Sequence, residues 1–292
     1  MPQILSLLVD PAAPSLERSL VDRARAAASG AGEPDWLAPG IACDIAVDDD
    51  ADLAAIRQAL GDAPVDANLI PAAARRKRLL IADMDSTVVT SETLDEIAAY
   101  AGLKEVIAAI TRRSMNGEID FPTALRERVA MLKGLAVDAL RLTLDATELT
   151  PGAKTLVQTM KRNGAYTALV SGGFTYFTEA VGARCGFDLH RSNLLGIGDG
   201  ALTGELIGPI LDMDAKLASL KELAGAHGLA LSEALTVGDG ANDMAMLGAA
   251  GLGVAFHAKP VVNAEIRIQV RHGDLTALLY LQGYRRDEFV GG

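Results

Sequence analysis

The sequence predicts two α/β units in series, a small module in residues 1–74 and a larger doubly wound parallel sheet in residues 75–292. Two observations support this fold class. First, residues 1–74 hold 12 acidic and 4 basic side chains, whereas the rest of the chain holds 26 and 23. Second, continuous apolar runs alternate with helical segments after residue 75. A break of this kind indicates two parts with different roles.

The composition is that of a folded protein with a sizeable core. The 292 residues carry 27 basic and 38 acidic side chains, a net charge of −11, and half of the residues are hydrophobic. The acidic balance disfavours a nucleic-acid partner, because phosphate backbones attract positive charge. Cys43 and Cys185 are too few for a disulfide framework and suit small buried side chains in a reducing compartment.

Neither a signal peptide nor a membrane span is predicted. The start of the chain has no basic segment and meets Asp10 early. The most apolar long stretch, residues 241–258, contains Asn242, Asp243 and three glycines, so it offers no uninterrupted apolar run of ~18 residues. We therefore expect a cytoplasmic protein without a membrane partner.

The first module is predicted to alternate strands and helices. Its strands are expected at residues 4–9, 41–47 and 68–70, and its helices at residues 16–28 and 52–60. Asp52 suits the start of the second helix, where backbone N–H groups are exposed. Such a run fits a small α/β sandwich with helices on one face. The basic segment Arg75–Arg78 is expected to be an exposed linker that contacts the module, rather than a nucleic-acid patch.

The larger unit is predicted from five continuous apolar runs, which are typical of strands buried on both faces. They lie at residues 78–82, 165–171, 234–238, 250–256 and 266–270, and helical segments lie at residues 152–163, 174–185, 215–228 and 242–250. Residues 94–147 interrupt the alternation and are predicted to form a mostly helical insert. The predicted sheet is parallel, with helices on both faces.

An acidic motif follows the first predicted strand of the larger unit. Asp83-Met84-Asp85-Ser86-Thr87 lies at the carboxyl end of this strand, where open α/β sheets bind ligands. Two carboxylates so close repel each other and raise one pKa, unless a hard cation such as Mg2+ lies between them. An acid-rich turn with a capping hydroxyl is the alternative interpretation.

Three further motifs follow a predicted strand or open a helix. Ser171-Gly172-Gly173 exposes backbone N–H groups that could bind an anion, although it also fits an ordinary turn. The segment Gly238–Asp243 places three oxygen-bearing side chains together, as a metal requires, or forms a plain turn capped by Asn242. Lys216 opens a helix and could neutralise a phosphate and a carboxylate, or lie on a solvated face.

Together, and in the chain order Asp83–Thr87, Ser171–Gly173, Lys216 and Gly238–Asp243, the four motifs resemble the haloacid dehalogenase superfamily of phosphohydrolases over roughly residues 79–275. Within it the chain is more similar to the phosphoserine phosphatase family. The closer resemblance rests on residues 83–96, 171–174, 237–243 and 255–260. The first module is similar in placement to the ACT-like, ferredoxin-like domain of longer members.

The resemblance implies a Mg2+-dependent phosphoric monoester hydrolase that converts O-phospho-L-serine to L-serine and phosphate, the last step of serine biosynthesis. It implies Asp83 as the nucleophile and Asp85 as the general acid. It also implies three groups of binding residues. Metal ligands are Asp83, the Asp85 carbonyl and Asp239, supported by Asn242 and Asp243; phosphate ligands are Ser171, the Gly172 N–H and Lys216; substrate contacts are Glu92 for the ammonium, Arg128 for the carboxylate, and the cap residues Met115 and Phe121.

Several alternatives stay open. The same chemistry fits a phosphotransferase or a phosphatase for another small phosphomonoester, and a phosphorylated signalling receiver has a comparable set of residues but no helical insert. The first module could bind L-serine as a regulator, or act as a scaffold that forms a homodimer. His257 is expected to be structural or peripheral, and Lys259 and Pro260 are expected to shape a turn.

Overall fold

Two β-sheets organise the chain, which the computed structural model describes at residues 2–115 and 118–291. The first sheet is antiparallel with strand order β2-β3-β1-β4. Its module comprises β1 (Gln3–Leu8), α1 (Arg18–Ala26), β2 (Asp35–Ala38), β3 (Ala42–Val47), α2 (Leu53–Leu60) and β4 (Asp66–Pro71). The predicted strands and helices are present, and β2 is an additional strand. The β-α-β-β-α-β order is that of ferredoxin-like folds.

The second sheet has seven strands in the order β11-β10-β9-β5-β6-β7-β8. Its strands are β5 (Leu79–Ala82), β6 (Tyr166–Phe174), β7 (Leu189–Gly198), β8 (Ala201–Ile207), β9 (Ala234–Gly238), β10 (Leu252–Phe256) and β11 (Ile268–Val270). The helices outside the insert are α7 (Ala153–Arg162), α8 (Thr175–Cys185), α9 (Met213–Ala226), α10 (Met244–Ala249), α11 (Pro260–Glu265) and α12 (Ala277–Leu281). All five predicted strands are confirmed.

The predicted doubly wound parallel sheet is present, and one edge adds an antiparallel strand. Strand β8 runs antiparallel to β7, and the two form a hairpin across Asp199 and Gly200. Both turn residues have positive φ angles, 50° and 75°, which two-residue hairpin turns require and which Asp-Gly sequences adopt readily. The sequence signal for this hairpin was therefore present, and the sheet is mixed, as in many doubly wound folds.

The predicted helical insert is present. It comprises α3 (Thr93–Tyr100), α4 (Lys104–Met115), α5 (Phe121–Ala130) and α6 (Asp138–Ala146). The two segments that connect the insert to the larger unit lie side by side, because Val89 and Leu149 form an antiparallel bridge. The insert therefore lies over the edge of the sheet at which β5 ends.

The centre of the larger sheet explains why Asp83 begins a functional site. All four residues of β5 are fully buried, and this strand pairs in parallel with β6 on one side and β9 on the other. The carboxyl ends of these three strands meet at one edge. Asp83 and Asp239 directly follow β5 and β9, and Ser171 lies in the last part of β6, so the fold brings the three motifs together.

The two units contact each other closely. The Asp66 carboxylate accepts hydrogen bonds from the backbone N–H groups of Arg271, His272 and Gly273, at 2.8, 3.0 and 3.1 Å. The Asn68 side chain exchanges two hydrogen bonds, both of 2.9 Å, with the backbone of Gln269. These contacts join β4 to the end of β11, so the first module is docked on the larger unit.

The segment Arg75–Arg78 is only partly the exposed linker that we expected. Arg75 is largely buried, and its guanidinium lies 2.6 Å from the Asp44 carboxylate. Lys77 is also buried, and its ammonium donates to the carbonyls of Ala74 and Ser232. These side chains turn inward because they find acceptors between the two units. Among the described residues, no helix is long and apolar enough to span a bilayer.

Candidate active site

A cavity of about 470 Å3 lies between the carboxyl edge of the large sheet and the helical insert. Residues from all parts of the predicted site line it. They are Asp83, Asp85, Glu92, Phe121, Arg128, Ser171, Gly172, Asp239 and Asn242. Lys216 and Asp243 lie fully buried directly behind this lining, in contact with Asp83 or with each other.

The innermost part of the site is a buried ion cluster around Lys216. The Lys216 ammonium lies 2.7 Å from Asp83 Oδ1 and 2.6 Å from Asp243 Oδ1. Burial opposes its charge, but the carboxylates of Asp243 and Asp83 outweigh burial and raise the pKa of Lys216. The interpretation of Lys216 as a solvated helix lysine is therefore wrong, because one ammonium neutralises two carboxylates away from water.

Asp85 lies in a different environment. Its side chain is half-buried and accepts a 2.9 Å hydrogen bond from the Thr93 N–H. Burial, assisted by the nearby charge of Glu92, raises the pKa of Asp85 to about 8. This carboxyl group can therefore hold a proton near neutral pH, whereas Asp83 is paired with the Lys216 ammonium at 2.7 Å.

The Ser-Gly-Gly segment approaches these acids closely. A Cβ atom at Gly173 would lie 2.7 Å from Asp85 Oδ2, so only glycine fits there without displacement. The Ser171 hydroxyl accepts a 2.9 Å hydrogen bond from the Gly173 N–H. The pairing of β6 with β7 shifts register between Val170 and Phe174, which interrupts the regular ladder at this segment. Its polar groups can therefore face an anion in the cavity.

A cluster of carboxylates at the same edge is compatible with a divalent cation. Asp83, Asp239 and Asp243 are all buried and offer oxygen atoms within 4.8 Å of one another. Burial raises the pKa of Asp239 to about 6, with Lys259 opposing the shift, and burial with the charge of Asp83 raises the pKa of Asp243 to about 7. A hard cation would relieve this repulsion, and carboxylate oxygen is its preferred ligand.

Lys259 is a cavity residue that the sequence analysis assigned only to a turn. Its ammonium lies 3.3 Å from Asp239 Oδ2 and 3.9 Å from Glu92 Oε1. The residue does precede α11, but its side chain adds a positive charge to the site. The available signal was its position just after β10, whose carboxyl end is adjacent to that of β9. His257 fits the expected structural role, since its ring nitrogen contacts the Gly273 carbonyl at 2.8 Å.

The predicted substrate contacts come from the approach to the insert and from the insert itself. Glu92 accepts a 2.8 Å hydrogen bond from the Ser86 hydroxyl, and Ser86 has the uncommon positive φ angle of 54°. Arg128 is nine-tenths buried. Phe121 packs against Gly172, where a Cβ atom would lie 3.0 Å from the ring. Met115 ends α4, but its side chain lies outside the described part of the structure.

The family model of haloacid dehalogenase-like hydrolases matches residues 80–248, more than half of the chain. The chain belongs to this family of hydrolases. The match contains all four motifs, and the mixed α/β fold with a cavity at the carboxyl edge of the sheet agrees with it. The expected fold class and family are thereby confirmed.

Within the family, the chain is similar to phosphoserine phosphatases. It is 44% identical over 214 residues to the phosphoserine phosphatase of Streptomyces coelicolor, a match that covers 73% of this chain and 52% of the relative. This chain thus spans about half the length of that relative.

Two solved structures are similar to this fold. A haloacid dehalogenase family hydrolase from Salmonella enterica serovar Typhi superposes with a TM-score of 0.85 at 29% identity, covering 96% of this chain and 98% of that one. A substrate-bound phosphoserine phosphatase superposes with a TM-score of 0.67 at 36% identity, covering 70% of this chain and 98% of that one. The first match extends over the N-terminal module as well.

Proposed function

We propose that this chain is a Mg2+-dependent phosphatase that hydrolyses O-phospho-L-serine to L-serine and phosphate. The observation that carries the choice of substrate is the buried Arg128 guanidinium, which lines the same cavity as Asp83 and forms no salt bridge among the described residues. A substrate carboxylate would supply its missing partner. Glu92, in the same cavity, would accept from the substrate ammonium. Similarity to phosphoserine phosphatases supports the same choice.

Asp83 supplies the nucleophile in the first step. Its carboxylate attacks phosphorus, the bond between phosphorus and the serine oxygen breaks, and an aspartyl-phosphate forms. The Lys216 ammonium, 2.7 Å from Asp83 Oδ1, offsets the negative charge of the nucleophile. Asp85 gives its proton to the departing serine oxygen, which agrees with the raised pKa of its carboxyl group.

The second step returns the enzyme to its starting state. Asp85, now ionised, takes a proton from a water molecule whose oxygen attacks phosphorus. The bond between phosphorus and Asp83 breaks, which releases phosphate and restores the Asp83 carboxylate. Asp85 therefore acts first as an acid and then as a base, and no proton is gained or lost by the protein over the cycle.

Asp83, the Asp85 carbonyl and Asp239 are the proposed ligands of Mg2+. When bound, the ion would reduce repulsion between nucleophile and substrate and stabilise charge on the transferring phosphoryl group. Asp243 suits a supporting role, because its two oxygens already accept from the Lys216 ammonium at 2.6 Å and the Gly240 N–H at 3.1 Å. Asn242, which lines the cavity, is the second supporting residue.

The remaining phosphate oxygens would be bound by Ser171, the Gly172 N–H and Lys216. The insert would act as a cap that limits the access of water. Phe121 already contacts Gly172 from the insert side, so the apolar wall lies directly over the phosphate segment. Met115 is proposed as a second apolar residue of this cap.

The remaining assignments also belong to this proposal. We infer that residues 1–74 form an ACT-like module that regulates the enzyme through L-serine or supports a homodimer, and that residues 75–292 form the catalytic unit with its cap at about 94–147. A cytoplasmic location suits the two buried free thiols, Cys43 and Cys185.

A phosphate-release screen tests the proposal. Purified protein with Mg2+ is offered O-phosphoserine, O-phosphoethanolamine and a panel of sugar and glycerol phosphates. We expect O-phosphoserine to be hydrolysed with the highest kcat/KM, and chelation of the metal to abolish activity. A faster reaction with another monoester would overturn the substrate assignment. Product analysis with added small alcohols distinguishes hydrolysis from phosphate transfer.

A further inference from the structure

We propose that Thr111 is a positioning residue that makes the site selective for substrates bearing a carboxylate, because it holds the Arg128 guanidinium toward the cavity. The inference rests on the proposed function, in which Arg128 binds the substrate carboxylate. Thr111 itself is not assigned a contact with the reacting groups. Its effect would be on the orientation of its neighbour.

Arg128 depends on few contacts for its orientation. Its Nε–H donates to the Ala124 carbonyl at 3.2 Å, one turn earlier on its own helix, α5. One terminal nitrogen donates to the Thr111 hydroxyl oxygen at 3.1 Å. Among the described residues these are its hydrogen bonds, and both acceptors are uncharged. The other N–H groups of a guanidinium that is nine-tenths buried are left for a ligand.

Thr111 is itself fixed in the orientation that accepts from Arg128. It lies on α4, and its hydroxyl donates to the Ile107 carbonyl at 3.1 Å, one turn earlier. Because the hydroxyl proton is used there, the oxygen presents a lone pair to Arg128. The β-branched side chain also restricts rotation about χ1. The contact therefore ties α5 to α4 across the insert, and both residues line the cavity.

The nearby acids explain why this contact matters. Asp95, on α3, has a pKa raised by its burial, and the positive charge of Arg128 opposes that shift. Asp95 and Arg128 are thus close enough to interact electrostatically, although they form no salt bridge. Without the Thr111 oxygen, only the Nε–H bond would direct the guanidinium, which could then reorient among the three acids whose charges act on it, Asp95, Glu92 and Asp85.

Two substrates distinguish an effect on the recognition of the carboxylate from an effect on the chemical step. O-Phosphoserine and O-phosphoethanolamine share the phosphate, the short chain and the ammonium, and differ in the carboxylate. For Thr111→Val, which removes the oxygen and keeps the shape, we expect kcat/KM for O-phosphoserine to fall about 10-fold, mainly through KM. The loss with O-phosphoethanolamine is expected to stay within about 2-fold. Thr111→Ser, which restores the oxygen, should recover most of the O-phosphoserine activity.

The matched control is Thr143→Val, in α6 of the same insert. Thr143 is buried in the core of the insert, but its hydroxyl has no hydrogen-bond partner in the described structure. The substitution should therefore leave kcat/KM unchanged for both substrates. The inference would be overturned if Thr111→Val lost kcat/KM equally with both substrates or lost none with either. It would also be overturned if Thr111→Ser did not recover activity. Thermal unfolding of each variant reports any general damage. A wild-type enzyme that did not prefer O-phosphoserine over O-phosphoethanolamine would instead contradict the proposed function, whatever the variants do.

Discussion

Lys216 and Asp83 form a buried ion pair, with the ammonium 2.7 Å from Asp83 Oδ1 and both side chains at or below 6% exposure. The same ammonium contacts Asp243, so one ammonium and two carboxylates are held together at the inner side of the cavity. A buried pair is costly to break, because the charge left behind has neither water nor a partner. Lys216 therefore has both a structural and a chemical role.

Lys216→Met is expected to lower the free energy of unfolding and activity together. Two buried carboxylates would lose their counter-charge, which costs about 3–5 kcal/mol, and kcat should fall at least about 100-fold. Urea unfolding and phosphate release measure the two effects. Lys221→Met, at an exposed position of the same helix, is the control and should change neither. An unfolding free energy equal to that of the wild type would contradict the buried-pair interpretation.

Asp83→Asn should abolish turnover without unfolding the protein. The amide cannot attack phosphorus, so kcat is expected to fall at least about 1000-fold, and acid-quenched protein should carry no phosphate. Lys216 retains Asp243 as a partner, so the fold should persist. Asp145→Asn, at an exposed position of the insert, serves as the control. Substantial turnover by the Asp83 variant would show that another group is the nucleophile.

Gly173→Ala tests the close contact between the glycine segment and the general acid. A Cβ atom there would lie 2.7 Å from Asp85 Oδ2, so Asp85 must move. We expect kcat to fall about 100-fold, with a loss of about 1–3 kcal/mol in the free energy of unfolding. Gly225→Ala is the matched control. It lies in α9 with no atom within 4 Å of its Cβ position, and should stabilise the protein by about 0.5–1 kcal/mol. Normal kcat in Gly173→Ala would contradict the assigned position of Asp85.

Lys259→Gln tests whether the positive charge of Lys259 affects metal binding at the site. The ammonium lies 3.3 Å from Asp239 Oδ2, where it opposes the binding of a divalent cation. The titration is made at pH 8, above the pKa of about 6 of Asp239 in the wild type, because loss of Lys259 raises this pKa further. Calorimetric titration should then give Mg2+ binding about 5-fold tighter in the variant. Lys221→Gln is the control, and unchanged or weaker Mg2+ binding in Lys259→Gln would contradict this role.

Three of the four motifs were predictable because each contains its signal in consecutive residues next to a continuous apolar strand, whereas Lys216 is a single residue at the start of a helix. The four residues of β5 and the five of β9 are wholly buried, so their sequences lack charged residues, and the sheet brings Asp83 and Asp239 to one edge. Contacts between residues that are distant in the sequence leave no such local signal. Thr111 meets Arg128 only because α4 and α5 pack together, and nothing in the local sequence of either residue specifies the other.

The contacts between the two units also join segments that are distant in the sequence, so the sequence did not predict them. Asp66, in β4, makes three of these contacts. Its carboxylate accepts three backbone N–H groups from residues 271–273 and is 4% exposed. Asp66→Ala would leave these donors without an acceptor, and the free energy of unfolding should fall by about 3 kcal/mol. Asp66→Asn keeps one acceptor oxygen and should lose less. Asp62→Ala, at an exposed position before β4, is the control.

Because Asp66 lies outside the cavity lining, kcat at 25 °C should stay within about 3-fold of the wild type. Equal stability of Asp66→Ala and the wild type in urea unfolding would mean that these hydrogen bonds do not hold the module on the catalytic unit.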